Sequence, residues 1–223
     1  MNELINKCVN LVKESGFPFN ICGGYALELF LNRTIRSHSD LDVCIYEEDK
    51  EEFIKFLLDK GWIIYEPQKN GLIRLISSPY EQKVEQICVY CLQQDCSLIK
   101  MIPAENDLYR LEILNSEQLN FDFIEVLFNP KRDGKFIYAQ NHAITRDIEK
   151  AVLHNEKGIP YMSPELVLFC KSIYISRDGY QKDFDMIVPF LSDESKSWLI
   201  KSLKTLYPDG HKWLELLQTA PAV

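Results

Sequence analysis

The chain has 223 residues, of which 26% are charged, 46% hydrophobic and 12% aromatic, a composition that excludes a disordered protein. This length can bury a substantial core in one large domain or two small ones. With 25 basic and 33 acidic residues, the formal net charge is -8, so no overall positive field draws the chain to nucleic acids or anionic membranes. We therefore expect a small ligand, favour a cationic one, and expect neither a nucleic-acid nor a membrane partner.

The sequence also predicts a cytoplasmic protein with reduced cysteines. Its first residues, MNELINKCVNLVKESG, lack the apolar core of a signal peptide, and the longest apolar runs fall far short of the roughly 20 residues that span a bilayer. Seven cysteines is an odd number, which is typical of free thiols. Cys88, Cys91 and Cys96 cluster in the sequence without a second Cys/His pair nearby, so we expect small hydrophobic strand residues in preference to a zinc site.

The N-terminal part is predicted to alternate helices and strands. Apolar residues at helical spacing in residues 2–15, followed by Gly16, predict an amphipathic helix. A short extended run, PFNIC, leads to Gly23-Gly24, and YALELFLN resumes helical spacing. The two glycines are therefore predicted to lie at a turn between a strand and a helix.

The next two segments are predicted to be a strand and a helix. DLDVCIY alternates polar and apolar residues, which predicts a strand with Asp40 and Asp42 on one face. EEDKEEFIKFLLDKG has an acidic first turn and predicts a helix that ends at Gly61. Short runs rich in β-forming residues follow from Trp62 to about Phe128: WIIYE, LIRLI, VEQICVYCL and FDFIEVLF.

The C-terminal part is predicted to be helical. NPKRDGKF indicates a break rich in turn residues, and beyond about residue 150 the spacing becomes helical. The predicted helical segments are SPELVLFCKSIYIS, KDFDMIVPFL, DESKSWLIKSLKTLY and HKWLELLQ. We therefore predict an α/β (α+β) fold, in which a mixed β-sheet flanked by helices occupies residues 1–148 and a helical domain occupies residues 149–223.

The paired aspartates point to metal chemistry. Asp40 and Asp42 project in parallel from one strand, and hard divalent cations such as magnesium prefer carboxylate oxygens. A third carboxylate would complete a clamp for two metal ions. FDFIEVLF offers Asp122 and Glu125, which strand alternation sends to opposite faces. We favour Glu125, since an acid within an apolar run is costly without a ligand or a proton-transfer role, and keep Asp122 as the substitute.

A phosphate site is predicted beside these carboxylates. Gly23 and Gly24 allow close approach of the backbone to phosphates, and the amides that open the next helix favour an anion. Arg36 and His38 lie between the glycines and the aspartates, where they would neutralise phosphate charge or hold a pyrophosphate leaving group. A structural role for His38 in the loop fits its position equally well. Together these motifs predict a nucleoside-triphosphate site.

These motifs resemble those of the nucleotidyltransferase superfamily, which has a DNA polymerase beta-like fold. The run GGYALELFLNRTIRSHSDLDV contains a glycine pair, a helix and an Asp-x-Asp strand. Its insert with Arg36 and His38 is similar to that of the lincosamide and aminoglycoside 2''-adenylyltransferases. Four later segments are similar in order and spacing to the aminoglycoside 2''-adenylyltransferase-like family: FIEVLFNPKRDGKF, KGIPYMSPELVLFCKS, KDFDMIVPFL and WLIKSL with HKWLELL.

The resemblance implies roles for individual residues. It implies that Gly23 and Gly24 hold the triphosphate and that Asp40 and Asp42 bind magnesium. It implies that Glu125 is a metal ligand or the base that accepts the proton of the acceptor hydroxyl.

The later helices match the family less closely. Lys171 lies where the family presents a basic residue to the nucleotide phosphates, although a solvated helix lysine is an equal alternative. The family often has a tryptophan after the glycine pair, whereas this chain has Tyr25. Its Lys-Asp-x-x-Asp-Phe motif is stretched here to RDGYQKDFD, so no role carries over to Asp178 or Asp183.

The implied function is transfer of a nucleoside monophosphate, AMP from ATP or from another nucleoside triphosphate, to a hydroxyl of a small molecule. The acceptor would be an aminoglycoside- or lincosamide-like antibiotic, two Mg²⁺ ions would be bound, and pyrophosphate would be released. One alternative is a nucleotidyltransferase of the toxin–antitoxin type that acts on tRNA or protein. The other is a nucleotide-binding regulatory module without catalytic activity.

Overall fold

The computed structural model describes residues 3–38, 40–97, 99–114 and 121–219. These residues form two compact units, each built from two segments of the chain. The first unit comprises Met1–Ile21 and Ser37–Lys131, and the second comprises Cys22–Arg36 and Arg132–Val223. These boundaries differ from the predicted domains, residues 1–148 and 149–223, which stay a prediction.

Helices occur in both units. The α-helices of the described residues are α1 (Glu3–Ser15), α2 (Gly23–Leu31), α3 (Lys50–Asp59), α4 (Ile148–Ala151), α5 (Pro164–Lys171), α6 (Tyr180–Ile187), α7 (Asp193–Leu206) and α8 (Lys212–Thr219). None of them combines the length and the apolarity that crossing a bilayer requires. All seven cysteines lie in the described ranges, and each is a free thiol.

Most of the strands lie in the first unit. The strands of the described residues are β1 (Phe19–Ile21), β2 (Asp42–Tyr46), β3 (Ile63–Pro67), β4 (Leu72–Ile76), β5 (Cys88–Leu92), β6 (Ile99–Pro103), β7 (Leu108–Ile113), β8 (Phe123–Asn129), β9 (Lys131–Arg132), β10 (Lys135–Ile137), β11 (Thr145–Asp147), β12 (Val152–His154) and β13 (Pro160–Met162). The chain passes from the first unit to the second within β9.

A mixed sheet forms the centre of the first unit. Its strands follow the order β1-β2-β8-β5-β3-β4-β7-β6. Strands β2 and β8 are parallel, and the other neighbours are antiparallel. Helix α3 packs on β2 and β3 and buries Phe53, Ile54 and Leu57. Helix α3 thus covers part of one face of the sheet, and helix α1 buries its own apolar side, including Ile5 and Cys8.

Helix α5 forms the centre of the second unit. Its residues from Pro164 to Lys171 are buried except Cys170, as expected for a helix that has neighbours on several sides. It packs against α2, α6 and α7. Helix α8 contributes Trp213, whose fully buried ring stacks on Phe184 of α6 with centroids 4.6 Å apart. Strands β10 and β11 form one antiparallel pair in this unit, and β12 and β13 form another.

The α/β class with a mixed sheet is confirmed, as are the predicted helices before Gly16 and before Gly61. Strands β6, β7, β12 and β13 were not singled out in the sequence, because runs of three to six residues carry little periodicity. The predicted break NPKRDGKF contains strands β9 and β10, with Asp133 in the left-handed region at their turn. The strand predicted for DLDVCIY begins at Asp42, so Asp40 precedes it.

A buried ion cluster lies within the second unit. The Asp183 carboxylate is fully buried and accepts hydrogen bonds from Arg36 Nε and Nη2, both at 2.9 Å. The Lys171 ammonium lies 3.0 Å from Asp183 Oδ2 and 3.9 Å from the centre of the Tyr180 ring. Burial by itself raises the pKa of Asp183, but the hydrogen bond from Arg36 and the charge of Lys171 outweigh burial and lower this pKa. The ionised carboxylate is therefore the stable form in the folded chain.

Replacing Asp183 by asparagine should destabilise the fold by about 3 kcal/mol or more, because Arg36 and Lys171 lose their shared counter-charge. The folded pKa lies below the unfolded value of about 3.9, so the ionised carboxylate stabilises the fold above that pH. This contribution is lost as the pH falls through the lowered pKa. The difference in free energy of unfolding between wild type and D183N should therefore be full at pH 7 and shrink below about pH 4.

Denaturant unfolding at several pH values measures this difference. The matched control is Asp59→Asn, which removes the carboxylate of an exposed pair with Lys55 and should cost far less stability than D183N. Equal losses in D183N and D59N would contradict the structural role of the cluster.

Gly179 leaves room for Arg36 in this cluster. It has a φ of +83°, and a Cβ added there would lie 2.7 Å from Arg36 Nε, which the bond to Asp183 holds in place. Gly61 has nearly the same φ, +82°, and an added Cβ meets no atom of the described residues within 4 Å. Gly61→Ala should therefore cost only the left-handed strain of about 1 to 2 kcal/mol. Gly179→Ala should cost more, because the clash is added.

The free energies of unfolding of G179A and G61A decide this comparison, since the two variants share the backbone strain. The extra loss in G179A should also diminish in an Arg36→Ala background, where the clashing side chain is absent. An equal loss in both single variants would show that Arg36 moves aside without cost.

Candidate metal centre

Three carboxylates converge on one face of the sheet in the first unit. Asp42 opens β2 and is directly paired with Glu125 of the parallel strand β8. Asp40 lies just before β2, and one oxygen from each of the three carboxylates lies within 4.8 Å of the others. All three side chains are partly buried. This cluster, Asp40, Asp42 and Glu125, is named the acidic triad below.

The backbone around the triad is firmly packed. The Glu125 amide donates a hydrogen bond to the Leu41 carbonyl at 3.0 Å, which extends the pairing of the two strands towards Asp40. Ile124 and Val126 flank Glu125 and are fully buried on the opposite face of β8. Since a strand alternates its side chains, the apolar packing of these two neighbours fixes Glu125 on the face of the triad.

The chemistry of the triad fits a hard divalent cation. Three carboxylates so close together repel one another when all are ionised, and a cation between them removes that repulsion. Carboxylate oxygens are the donors that Mg²⁺ and Mn²⁺ prefer. Among the described residues, this is the one group of His, Cys, Asp and Glu side chains with such spacing.

Cys88 adds a neutral donor to the triad, a residue that the sequence did not single out for this role. Burial, with the nearby charges of Glu125 and Asp42, raises the pKa of the Cys88 thiol far above its ordinary value, and the thiol is hydrogen-bonded to the Glu125 side chain. In the chain without a bound cation, the protonated Cys88 thiol therefore donates to Glu125. Strand alternation places Cys91 on the other face of β5, so the Cys88 and Cys91 side chains point to opposite faces of the sheet.

Asp122, kept in the sequence as the substitute for Glu125, lies outside the triad. One of its oxygens accepts a long hydrogen bond of 3.4 Å from the Ser97 amide, and the other is buried without a hydrogen-bond partner among the described residues. Of the two candidates, it is Glu125 that the strand pairing brings beside Asp42.

The glycine pair lies in the second unit and opens helix α2. Cys22 has extended backbone, and Gly23 follows with a φ of 61° as the first helical residue. The Glu28 carboxylate of the same helix accepts hydrogen bonds from the amides of Ile35 (2.9 Å) and Arg36 (3.5 Å). This glutamate within the apolar run YALELFL thus ties the loop after α2 back to the helix, a role that the sequence analysis did not predict.

The three basic residues predicted near the phosphates are largely buried. Arg36 and Lys171 both pair with Asp183 in the second unit, and Lys171 is only 7% exposed. His38 belongs to the first unit and is also 7% exposed. Their contacts with a nucleotide, like those of Gly23 and Gly24, stay predictions.

The chain is similar to antibiotic adenylyltransferases. The family model of aminoglycoside-2''-adenylyltransferase matches residues 4–95, and no curated protein matches the sequence. The structure is similar to the antibiotic-resistance factor ANT(2'')-Ia, with a TM-score of 0.53 and 14% identity over 92% of each chain. It is also similar to the lincosamide antibiotic adenylyltransferase LnuA with lincomycin bound, with a TM-score of 0.51 and 13% identity over 83% of this chain and 94% of that chain.

These likenesses confirm the predicted nucleotidyltransferase fold and support the predicted similarity to the aminoglycoside and lincosamide enzymes. The matched family region is less than half of the chain. It contains the glycine pair, Asp40 and Asp42, whereas Glu125 and Lys171 lie beyond it. At 13 to 14% identity, the two solved structures establish the fold alone.

Magnesium or manganese should raise the melting temperature of the wild-type chain without any nucleotide, because a cation that binds only the folded triad stabilises it by about 2.7 kcal/mol at 100 times its Kd. Asp42→Asn and Glu125→Gln should weaken this rise. Without metal, Glu125→Gln should melt at least as high as wild type, since one repelling charge is removed and the amide oxygen of glutamine still accepts from Cys88.

The control for this prediction is Asp122→Asn, which removes a neighbouring carboxylate outside the triad and should keep the full response to metal. Thermal denaturation with and without the chloride salt of each metal gives the comparison. A response that is the same in D42N, E125Q and wild type would exclude the triad as the metal centre.

Proposed function

We propose that this chain is a metal-dependent nucleotidyltransferase that transfers AMP from ATP to a hydroxyl of a small molecule and releases pyrophosphate. The observation that carries this proposal is the convergence of Asp40, Asp42 and Glu125 on two parallel strands. The fold shared with adenylyltransferases supports it.

The proposed reaction is an in-line displacement at the α-phosphorus. A bond forms between the acceptor oxygen and the α-phosphorus while the bond from that phosphorus to the bridging oxygen of the leaving pyrophosphate breaks. The acceptor hydroxyl loses a proton, and Glu125 is the carboxylate we assign to receive it or to hold the cation that favours its loss. Cys88, which lies diagonally across from Glu125 on the same face and is hydrogen-bonded to it, would keep this carboxylate oriented.

We assign the cation to the acidic triad and propose Mg²⁺, with two ions held by Asp40, Asp42 and Glu125. When bound, the cation neutralises triphosphate charge and stabilises the attacking and leaving oxygens. The chain itself supplies a packed pair of strands that holds the three carboxylates close together before substrate arrives.

For the nucleotide we propose Gly23, Gly24, Arg36, His38 and Lys171, on the basis of the sequence motif. The cluster of Arg36, Lys171 and Asp183 has two positive charges and one negative charge, so it keeps a net charge of about +1 towards a phosphate. Arg36 is the better placed of the two cations to reach a ligand, because 20% of its side chain is exposed, against 8% for Lys171.

The acceptor we propose is a hydroxylated antibiotic of the aminoglycoside or lincosamide type, so that the activity would confer resistance. Its support is the matched family model and the lincomycin-bound relative. We place the reaction in the cytoplasm, where nucleoside triphosphates are available and where the seven free thiols stay reduced.

Pyrophosphate release from ATP and Mg²⁺ should depend on an added acceptor and on the triad. Asp40→Asn, Asp42→Asn and Glu125→Gln should each lower kcat/KM by about 100-fold or more, since each removes charge that acts on the reacting phosphate. Asp122→Asn should retain most of the activity. The assay is coupled pyrophosphate detection with an aminoglycoside, a lincosamide, tRNA or a protein mixture as acceptor, and mass spectrometry of the product.

Each outcome of this screen has a definite meaning. A mass increase of one AMP on the antibiotic supports the proposal. Release that requires tRNA or protein would favour the toxin–antitoxin alternative, and the absence of release with every acceptor, despite metal and ATP binding, would favour a regulatory module.

A further inference from the structure

The acidic triad continues across the sheet as a row of aromatic and apolar side chains. The register pairs Asp42 with Glu125, Glu125 with Tyr90, Tyr90 with Tyr65 and Tyr65 with Leu75. Directly paired residues share one face of a sheet, with strands about 4.8 Å apart. Tyr90 is therefore the immediate neighbour of Glu125, and Tyr65 is the next side chain along.

In the described strands, the rest of this face also has no charged side chain. Between Glu125 and the far edge of the sheet, the described residues that alternation places on it are Ile63, Tyr65, Pro67, Ile73, Leu75, Cys88, Tyr90, Leu92, Ile99, Met101, Pro103, Tyr109, Leu111 and Ile113. The charged side chains of β4, β6 and β7 alternate to the opposite face: Arg74, Lys100, Arg110 and Glu112. This uncharged surface is named the tyrosine face below.

Of the three tyrosines on this face, Tyr90 and Tyr109 are partly exposed, whereas Tyr65 is buried. The Tyr65 and Tyr109 rings form a T-shaped pair with centroids 5.7 Å apart, and Tyr90 lies 6.1 Å from Phe123. Tyr90 and Tyr109 are partly buried and pack against a buried cluster that contains Tyr65 and Phe123. Such rings present rigid apolar surface with little loss of side-chain entropy on binding.

This arrangement distinguishes two classes of acceptor. A polycationic acceptor is favoured by a site with several carboxylates, but among the described residues of this face the carboxylates are those of the triad, which we assign to the metal. An acceptor with an apolar portion would instead cover tyrosine rings next to its reacting hydroxyl. The net charge of -8 therefore does not indicate a cationic acceptor.

We propose that the tyrosine face binds the acceptor and selects molecules with at most one positive charge and an apolar portion next to the reactive hydroxyl. Tyr90 is the specificity-determining residue, because it is paired with Glu125 and thus lies between the metal centre and the rest of the face. This inference rests on the proposed function, which places the reaction at the triad. Its own claim is that the acceptor binds to the tyrosine face.

The test measures binding of two probes, lincomycin and tobramycin, by isothermal titration calorimetry with Mg²⁺ present, which neutralises the triad, and without nucleotide. Lincomycin carries one amine and an apolar group, whereas tobramycin carries several amines. Lincomycin should bind wild type at least about ten-fold more tightly than tobramycin, and Tyr90→Ala should weaken lincomycin about ten-fold. Tyr90→Leu keeps an apolar residue in the strand, so it separates the loss of the tyrosine ring from a folding defect. This variant should also bind lincomycin more weakly than wild type.

The matched control is Tyr80→Leu. Tyr80 belongs to the same unit but is 56% exposed and hydrogen-bonded to Glu52, away from the register of the triad. This control should bind lincomycin as wild type does. In kinetic assays, the Tyr90 variants should raise the KM for lincomycin and leave the KM for ATP unchanged.

The two proposals fail in different ways. Lincomycin binding that depends on Tyr90 without any pyrophosphate release supports the tyrosine face and contradicts the proposed function. Pyrophosphate release that prefers tobramycin and is unaffected in Y90L supports the proposed function and overturns this inference. Equal binding of both probes, or binding of neither, also overturns it.

Discussion

The parallel pairing of β2 with β8 is the constraint on which the candidate site depends. It places Asp42 directly beside Glu125, and the Leu41 carbonyl accepts from the Glu125 amide just before the strand begins. A shift of one residue in either strand would send one carboxylate to the helix-covered face, where it would be buried among apolar side chains. The fully buried neighbours Ile124 and Val126 resist such a shift, so core packing fixes the spacing of the acids.

Local patterns in the sequence predicted the parts of this site that lie close together along the chain. Asp40 and Asp42 stood out because two acids alternate with apolar residues, and Glu125 stood out because it interrupts an apolar run. Tyr90 and Cys88 could not be found in this way. They reach Glu125 through pairing of strands that are more than thirty residues apart, and a sequence without aligned relatives carries no signal for that pairing.

The charges of Arg36 and Lys171 are visible in the sequence, but the residue with which both of them pair is not. Their positive charge predicted phosphate contacts, but charge alone does not reveal where the counter-charge lies. In the folded chain both pair with Asp183, a fully buried residue more than a hundred positions after Arg36. The main role of the cluster is to stabilise the second unit. Its affinity for phosphate depends on the one positive charge that remains after Asp183 has neutralised the other.

The net charge of this chain therefore indicates a type of ligand only when the charged residues have been located in the structure. Several acidic residues lie on the exposed start of α3 and the turn before it, such as Glu47, Glu51 and Glu52, and these exposed residues account for part of the net charge of -8. Among the residues that the structure describes, the face that carries the triad continues into tyrosines and aliphatic residues and not into further charged side chains. The physical demand on an acceptor is then twofold: a hydroxyl that reaches three carboxylates, and an apolar portion that covers aromatic rings one strand away.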